Sequence, residues 1–143
     1  MDQGGRAVIE IVAALVRDGR GHVLLVRKRG TESFMQPGGK REPGEADLHA
    51  LARELREELG CGLVPGSATS LGLFEAPAAN EPGRQVRAAL YAVRLAGAIV
   101  CQAEIEEYAW IDPRDPGDVP LAPLTRDAIL PLALSLEETC QAL

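Results

Sequence analysis

Aromatic side chains are scarce in this chain: two Phe, two Tyr and one Trp among 143 residues. Phe34, Phe74 and Trp110 could stack on a planar ligand, but core packing has first claim on so few large side chains. Basic charge is also in deficit, with fifteen Lys and Arg against twenty-one Asp and Glu, a net charge of −6. That balance lacks the basic surface needed to bind a nucleic acid polymer non-specifically. It does not exclude a nucleotide, because a polyphosphate can be held locally by metal ions and a few cationic side chains. Cys61, Cys101 and Cys140 form an odd, scattered set that suggests reduced thiols rather than a disulfide framework. Only two histidines are present, His22 and His49, and no two cysteines lie close together, which argues against a zinc site. No apolar run approaches the roughly 18 residues of a membrane span. The opening Met1-Asp2-Gln3-Gly4-Gly5-Arg6 lacks the basic-then-apolar build of a signal peptide. The expectation is a cytoplasmic protein.

What is present reads as one globular domain over residues 1–143, with 46% hydrophobic residues, enough for a core. The coarse pattern is α/β. Residues 7–17 read as a strand, 18–21 as a hairpin turn, and 22–28 as a returning strand with Val23–Val26 buried. Residues 45–59 have helical spacing. Residues 70–76, 85–95 and 105–111 read as further strands, with Pro82-Gly83 marking a turn. The proline-rich segment 112–123 reads as a surface loop. Residues 124–140 read as a second helix with Thr125 as N-cap, although Pro131 implies a kink or a later start.

The most informative stretch is Gly39–Cys61, GKREPGEADLHALARELREELGC. At roughly 100° per residue, taking Glu54 as zero, Glu57 falls at about −60° and Glu58 at about +40°, so the three carboxylates share one helix face. Leu51, Leu55, Leu48 and Leu59 fall between about +60° and +140°, an apolar stripe fit to pack on a sheet. Pro37-Gly38-Gly39 reads as a turn leading into this segment, Pro43-Gly44 supplies the turn before the helix, and Gly60 the stop after it. Three carboxylates within one turn repel each other, and Arg53 alone does not neutralise them. Mg²⁺ or Mn²⁺ would, since such ions take oxygen ligands from one or two carboxylates and from phosphates together. Cations for phosphate oxygens are at hand: Arg27 and Arg29 alternate along one strand face, and Lys40 and Arg41 sit in the turn before the helix.

These residues match the signature of the Nudix hydrolases, G-x5-E-x7-R-E-U-x-E-E-x-G-U with U a bulky aliphatic residue. Every fixed position agrees, and the one departure is Cys61 at the final aliphatic position, where a buried cysteine acts as a small hydrophobe. Gln36-Pro37-Gly38-Gly39 also resembles the family's lead-in. The resemblance implies the Nudix fold, an α/β/α sandwich around a mixed β-sheet, and Mg²⁺- or Mn²⁺-dependent hydrolysis of a diphosphate joined to another moiety. It implies Glu54, Glu57 and Glu58 as metal ligands, with the Gly38 carbonyl as a further candidate, since glycine lets the main chain approach an ion. Arg53 would orient the carboxylates. Gly39, Glu45 and Gly60 would be structural.

In the family the general base is sometimes a signature glutamate and sometimes one from a later loop. Glu104, Glu106 and Glu107 are the later candidates, with Glu104 preferred. The short chain is similar to the compact MutT-like branch that hydrolyses nucleoside triphosphates to monophosphate and pyrophosphate. ADP-ribose, nucleotide sugars and dinucleoside polyphosphates stay open; Pro77 lies sixteen residues past Cys61, a near miss to the position about fifteen past the signature where a proline marks ADP-ribose subfamilies. A non-catalytic nucleotide sensor is the alternative of another class, disfavoured by an intact signature and the lack of a basic DNA-binding segment. The resemblance is compatible with a homodimer.

Overall fold

The computed structural model describes residues 8–142, with side chains described through Leu136. Met1–Arg6, Ala7 and the side chain of Cys140 lie outside the described residues. The elements run β1 Val8–Leu15, β2 Val23–Lys28, β3 Gly38–Lys40, α1 Asp47–Leu59, β4 Gly62–Leu63, β5 Thr69–Pro77, β6 Gln85–Ala92, β7 Leu95–Ala96, β8 Ile105–Ile111, a π-helical turn Thr125–Ile129, and α2 Leu130–Ala142.

The main sheet has the order β3-β1-β6-β5. β1 pairs antiparallel with β3 and parallel with β6, and β5 pairs antiparallel with β6, so the sheet is mixed. β2 and β8 form a separate antiparallel pair. The turn expected at 18–21 is present, with the Asp18 N–H donating to the His22 carbonyl and an antiparallel bridge at Arg17 and Val23. The strands beyond it then part, β1 into the main sheet and β2 toward β8.

Alternation along the strands divides the interior into two layers. Val12, Ala14, Leu24 and Val26 pack with Ala50, Leu51, Leu55 and Leu59 of α1. Ala13, Leu15, Val23 and Leu25 pack with Ile129, Leu130 and Ala133 of the second helix. The result is the expected α/β/α arrangement. Phe34 and Phe74 pack against the second layer and Trp110 against the first, as core residues.

Three expectations are corrected by tertiary pairing. Gly38-Gly39 is an edge strand rather than a turn, because β1 supplies its hydrogen-bond partners. Leu48, assigned to the apolar stripe, is 42% exposed, since it sits in the first turn of α1. Thr125 is not an N-cap: it begins the π-helical turn, whose wider spacing lets the Leu130 N–H reach the Thr125 carbonyl. That extra room accommodates Pro131, which has no N–H and whose ring would crowd the carbonyl four residues back in an ordinary helix.

Candidate active site

α1 is built as its sequence dictates. Its apolar face is buried, and Gly60 closes it in the left-handed region at φ 66°, its N–H donating to the Arg56 carbonyl. Cys61 follows fully buried, its thiol donating to the Ala98 carbonyl at 3.3 Å, so it fills an aliphatic position as a small hydrophobe.

On the neighbouring face the charges are ordered around Arg53. Its Nε and Nη2 donate to the two Glu45 oxygens, both at 2.8 Å; Nη1 donates to Glu54 at 3.0 Å; Nη2 also donates to the Lys40 carbonyl at 3.0 Å. This forked bond, with the Glu42 N–H, holds the Glu45 carboxyl down at about 2, and Glu45 in turn holds Arg53 above the ordinary guanidinium range. Arg53 thereby locks helix to loop and fixes Glu54.

The glycines of β3 make room for the carboxylates. A Cβ on Gly39 would lie 2.5 Å from the Glu54 carboxylate, and one on Gly38, at φ 146°, would strike the Val12 carbonyl. Beyond them opens a cleft of about 400 Å³. Its polar lining is Glu54, Glu58, Lys28, Lys40 and Glu104 with Gly38 and Gly39. Its apolar lining is Ile9, Ile11, Ala13, Met35 and Val86, with Ile11 and Ala13 paired across the strands with Lys40 and Gly38.

Glu58 is 5% exposed, and its Oε1 is buried without a hydrogen-bond partner. Burial first, and the charge of Glu54 second, push its carboxyl up to about 8. A buried oxygen lacking a donor, a second carboxylate beside it and a backbone bare of side chain are what a hard divalent cation requires. Among the described residues no three His, Cys, Asp or Glu side chains converge on one point. Two carboxylates suffice for Mg²⁺, which completes its shell with water and phosphate oxygens.

The expected site residues separate into two groups. Glu54, Glu58, Gly38, Gly39, Lys40 and Glu104 line the cleft. Glu57 does not: its side chain is 56% exposed and lies 3.5 Å from Arg53. Arg27 and Arg29, expected to meet phosphates, also lie off the cleft lining. Arg27 bonds Glu107 at 2.7 Å and the Thr31 carbonyl, and Arg29 reaches Glu106 at 3.4 Å. Glu106 and Glu107 are spent on these cross-strand pairs, which leaves Glu104 as the member of its trio that faces the cleft. Arg41 is turned away to Asp47 at 2.8 Å.

The cation missed in the sequence is Lys28. It continues the parity of Leu24 and Val26, which face α1, whereas Arg27 and Arg29 continue the opposite parity. Lys28 lies 3.8 Å from Glu104. Gln36, Asn80 and Glu81 also line the cleft; the last two come from the β5–β6 loop, where no sequence pattern marked them.

A family model of the NUDIX domain matches residues 9–132. The chain belongs to the Nudix family. A CTP pyrophosphohydrolase of Escherichia coli (strain K12) is 32% identical over 122 residues, 81% of this chain and 84% of that protein. An 8-oxo-dGTP diphosphatase of Haemophilus influenzae (strain ATCC 51907 / DSM 11121 / KW20 / Rd) is 36% identical over 59 residues, 38% of this chain and 43% of that one. Among solved structures, the E. coli ORF135 protein matches with a TM-score of 0.68 at 27% identity, covering 99% of this chain and 97% of its own. A MutT Nudix hydrolase from Burkholderia pseudomallei matches with a TM-score of 0.70 at 25% identity, covering 91% of this chain and 98% of its own. This Nudix chain is a hydrolase, and enzymes of the family generally depend on a divalent metal ion. No helix among its described residues is long and apolar enough to cross a membrane.

Proposed function

We propose that this Nudix enzyme hydrolyses a nucleoside or deoxynucleoside triphosphate to the monophosphate and pyrophosphate, with Mg²⁺ or Mn²⁺. The observation that carries the reading is the make-up of one cleft: the partnerless Glu58 oxygen beside Glu54, with Ile9, Ile11 and Val86 in the same lining. The carboxylates suit a metal-held polyphosphate and the apolar side chains a flat, weakly polar base. The name of the E. coli relative, a CTP pyrophosphohydrolase similar over most of its length, supports the same class.

Glu54, Glu58 and the Gly38 backbone would hold the cation, with Glu57 at the rim of the same helix. A divalent ion bound there supplies charge neutralisation for the phosphate oxygens and a more acidic water. Arg53 keeps Glu54 aimed inward through its bond at 3.0 Å. Lys40 lines the cleft without an ion-pair partner among the described residues, so its ammonium is available to phosphate oxygens. Glu104 takes the proton from the attacking water, steadied by Lys28. The water oxygen bonds to phosphorus as the bridging P–O bond breaks, and pyrophosphate leaves with the electron pair.

The test is product analysis over a nucleotide panel with Mg²⁺, with Mn²⁺ and with chelator. Pyrophosphate and monophosphate are expected with either metal, and turnover in chelator would overturn the reading. Glu54→Gln should lower activity sharply in a folded protein; wild-type rates in that variant would exclude Glu54 from the metal site.

A further inference from the structure

Gln36 is only 7% exposed, yet it lines the same cleft as the carboxylates and the apolar side chains. Its backbone is held on every side. The Phe34 N–H donates to the Pro120 carbonyl and the Phe34 carbonyl accepts from Ala122; Met35 exchanges both backbone bonds with Val26; and the Pro37 carbonyl accepts from Ala14. The side chain is held as well: the Thr125 hydroxyl donates to Gln36 Oε1 at 2.6 Å, a buried bond between the start of the π-helical turn and the approach to β3.

The orientation of the amide follows from that bond. Thr125 is fully buried, and no other acceptor for its hydroxyl proton occurs among the described residues. Turning the amide over would leave that proton unpartnered in the core, which is unfavourable. Oε1 therefore stays with Thr125, and Nε2 is left without a partner among the described residues. A donor fixed in the lining of the cleft favours a ligand that brings an acceptor to it and disfavours one that brings another donor.

We propose that Gln36, held by Thr125, sets the base preference of this enzyme by donating its amide N–H to a carbonyl oxygen on the base edge. Thr125 acts through Gln36 and is a positioning residue. The inference rests on the nucleotide reading above and adds to it a substrate class, bases bearing a keto group where Gln36 meets them.

The experiment measures kcat/KM with saturating Mg²⁺ for two pairs that differ in keto against amino groups, UTP with CTP and GTP with ATP. Wild-type enzyme should favour the keto member of each pair. Gln36→Met keeps length and apolar fit but has no donor, and should lower kcat/KM for the keto member about tenfold, the scale of one neutral hydrogen bond, while leaving the amino member nearly unchanged. Thr125→Val should shrink the preference by a smaller factor, because the donor remains but its aim is lost. Thermal melting of each variant separates reading from tethering. A lower Tm with an unchanged keto/amino ratio in both variants, an equal loss on both members, or a wild-type preference for the amino member would overturn the inference. Thr125→Val carries the test should Gln36→Met not fold. Wild-type enzyme that hydrolyses no nucleotide overturns the parent reading as well; hydrolysis with an unmoved ratio overturns this inference alone.

Discussion

α1 and α2 are each 13 residues long, but different forces place them. α1 has its own boundaries: an acidic first turn, a continuous buried face of Ala50, Leu51, Leu55 and Leu59, and a left-handed glycine at its end. Its charged face is ordered by a partner within the same segment, since Glu45 and Arg53 are eight residues apart. α2 has no acid in its first turn and no base in its last. It is entered through a π-helical turn, and the side-chain bond fastening that entrance runs from Thr125 to Gln36, 89 residues away. One helix is specified by neighbours in sequence and carries the cleft carboxylates Glu54 and Glu58. The other is specified by distant contacts and supports the wall of the cleft.

Changes to the cleft carboxylates of α1 should therefore alter kcat with little cost to folding, and changes within α2 should leave kcat unaffected. The largest expected effect is Glu58→Gln, which should lower kcat about a thousandfold, equivalent to roughly 4 kcal/mol of lost transition-state stabilisation. Its melting temperature should not fall, because the buried, partnerless oxygen is removed from competition with Glu54. A large loss of Tm would make Glu58 a structural residue. Next is Gly39→Ala, whose added methyl meets the Glu54 carboxylate at 2.5 Å and should displace it, for a loss of about a hundredfold in kcat/KM. An unchanged rate would show that the position of Glu54 is not critical.

A subtler contrast comes from pH. Glu45 has its carboxyl lowered to about 2 by Arg53, so the pair contributes stability that is present above pH 4.5 and is lost as pH falls toward 2. Glu45→Gln should flatten that acid limb of the stability curve, measured by denaturant unfolding across the range. The same acid slope in both proteins would mean that the pair is not a stabilising element. The smallest effect is expected at Pro131→Ala, where the restored N–H allows a regular helical turn. Stability should change by less than about 1 kcal/mol with kcat unaffected, and a large loss of kcat would contradict the division between the helices.

Much of the site could be read from the chain. The offsets among Gly39, Glu45, Arg53, Glu54, Glu58 and Gly60 specify a helix, its stop and its acidic face, and all six occupy the expected positions. The aim of Glu57 was less legible. A wheel places a Cα direction, but Arg53 already has Glu45 and Glu54 at close range, and Glu57 is left outside the cleft. Which cation lines the cleft was hidden for a related reason. Arg27 and Arg29 alternate along β2, but which face meets α1 depended on how β2 packs, and that brings Lys28 rather than either arginine to the cleft lining. Gly38-Gly39 carried a turn signal that pairing with β1 overruled.

The sequence by itself determined the family, the α/β/α plan and the acidic helix, because spacing along a helix or strand is a local property. Only the tertiary structure decided which carboxylate is buried, which lysine faces it, and that Gln36 is aimed by Thr125. Those outcomes depend on elements distant in the chain coming together and removing particular atoms from water, which no local pattern records.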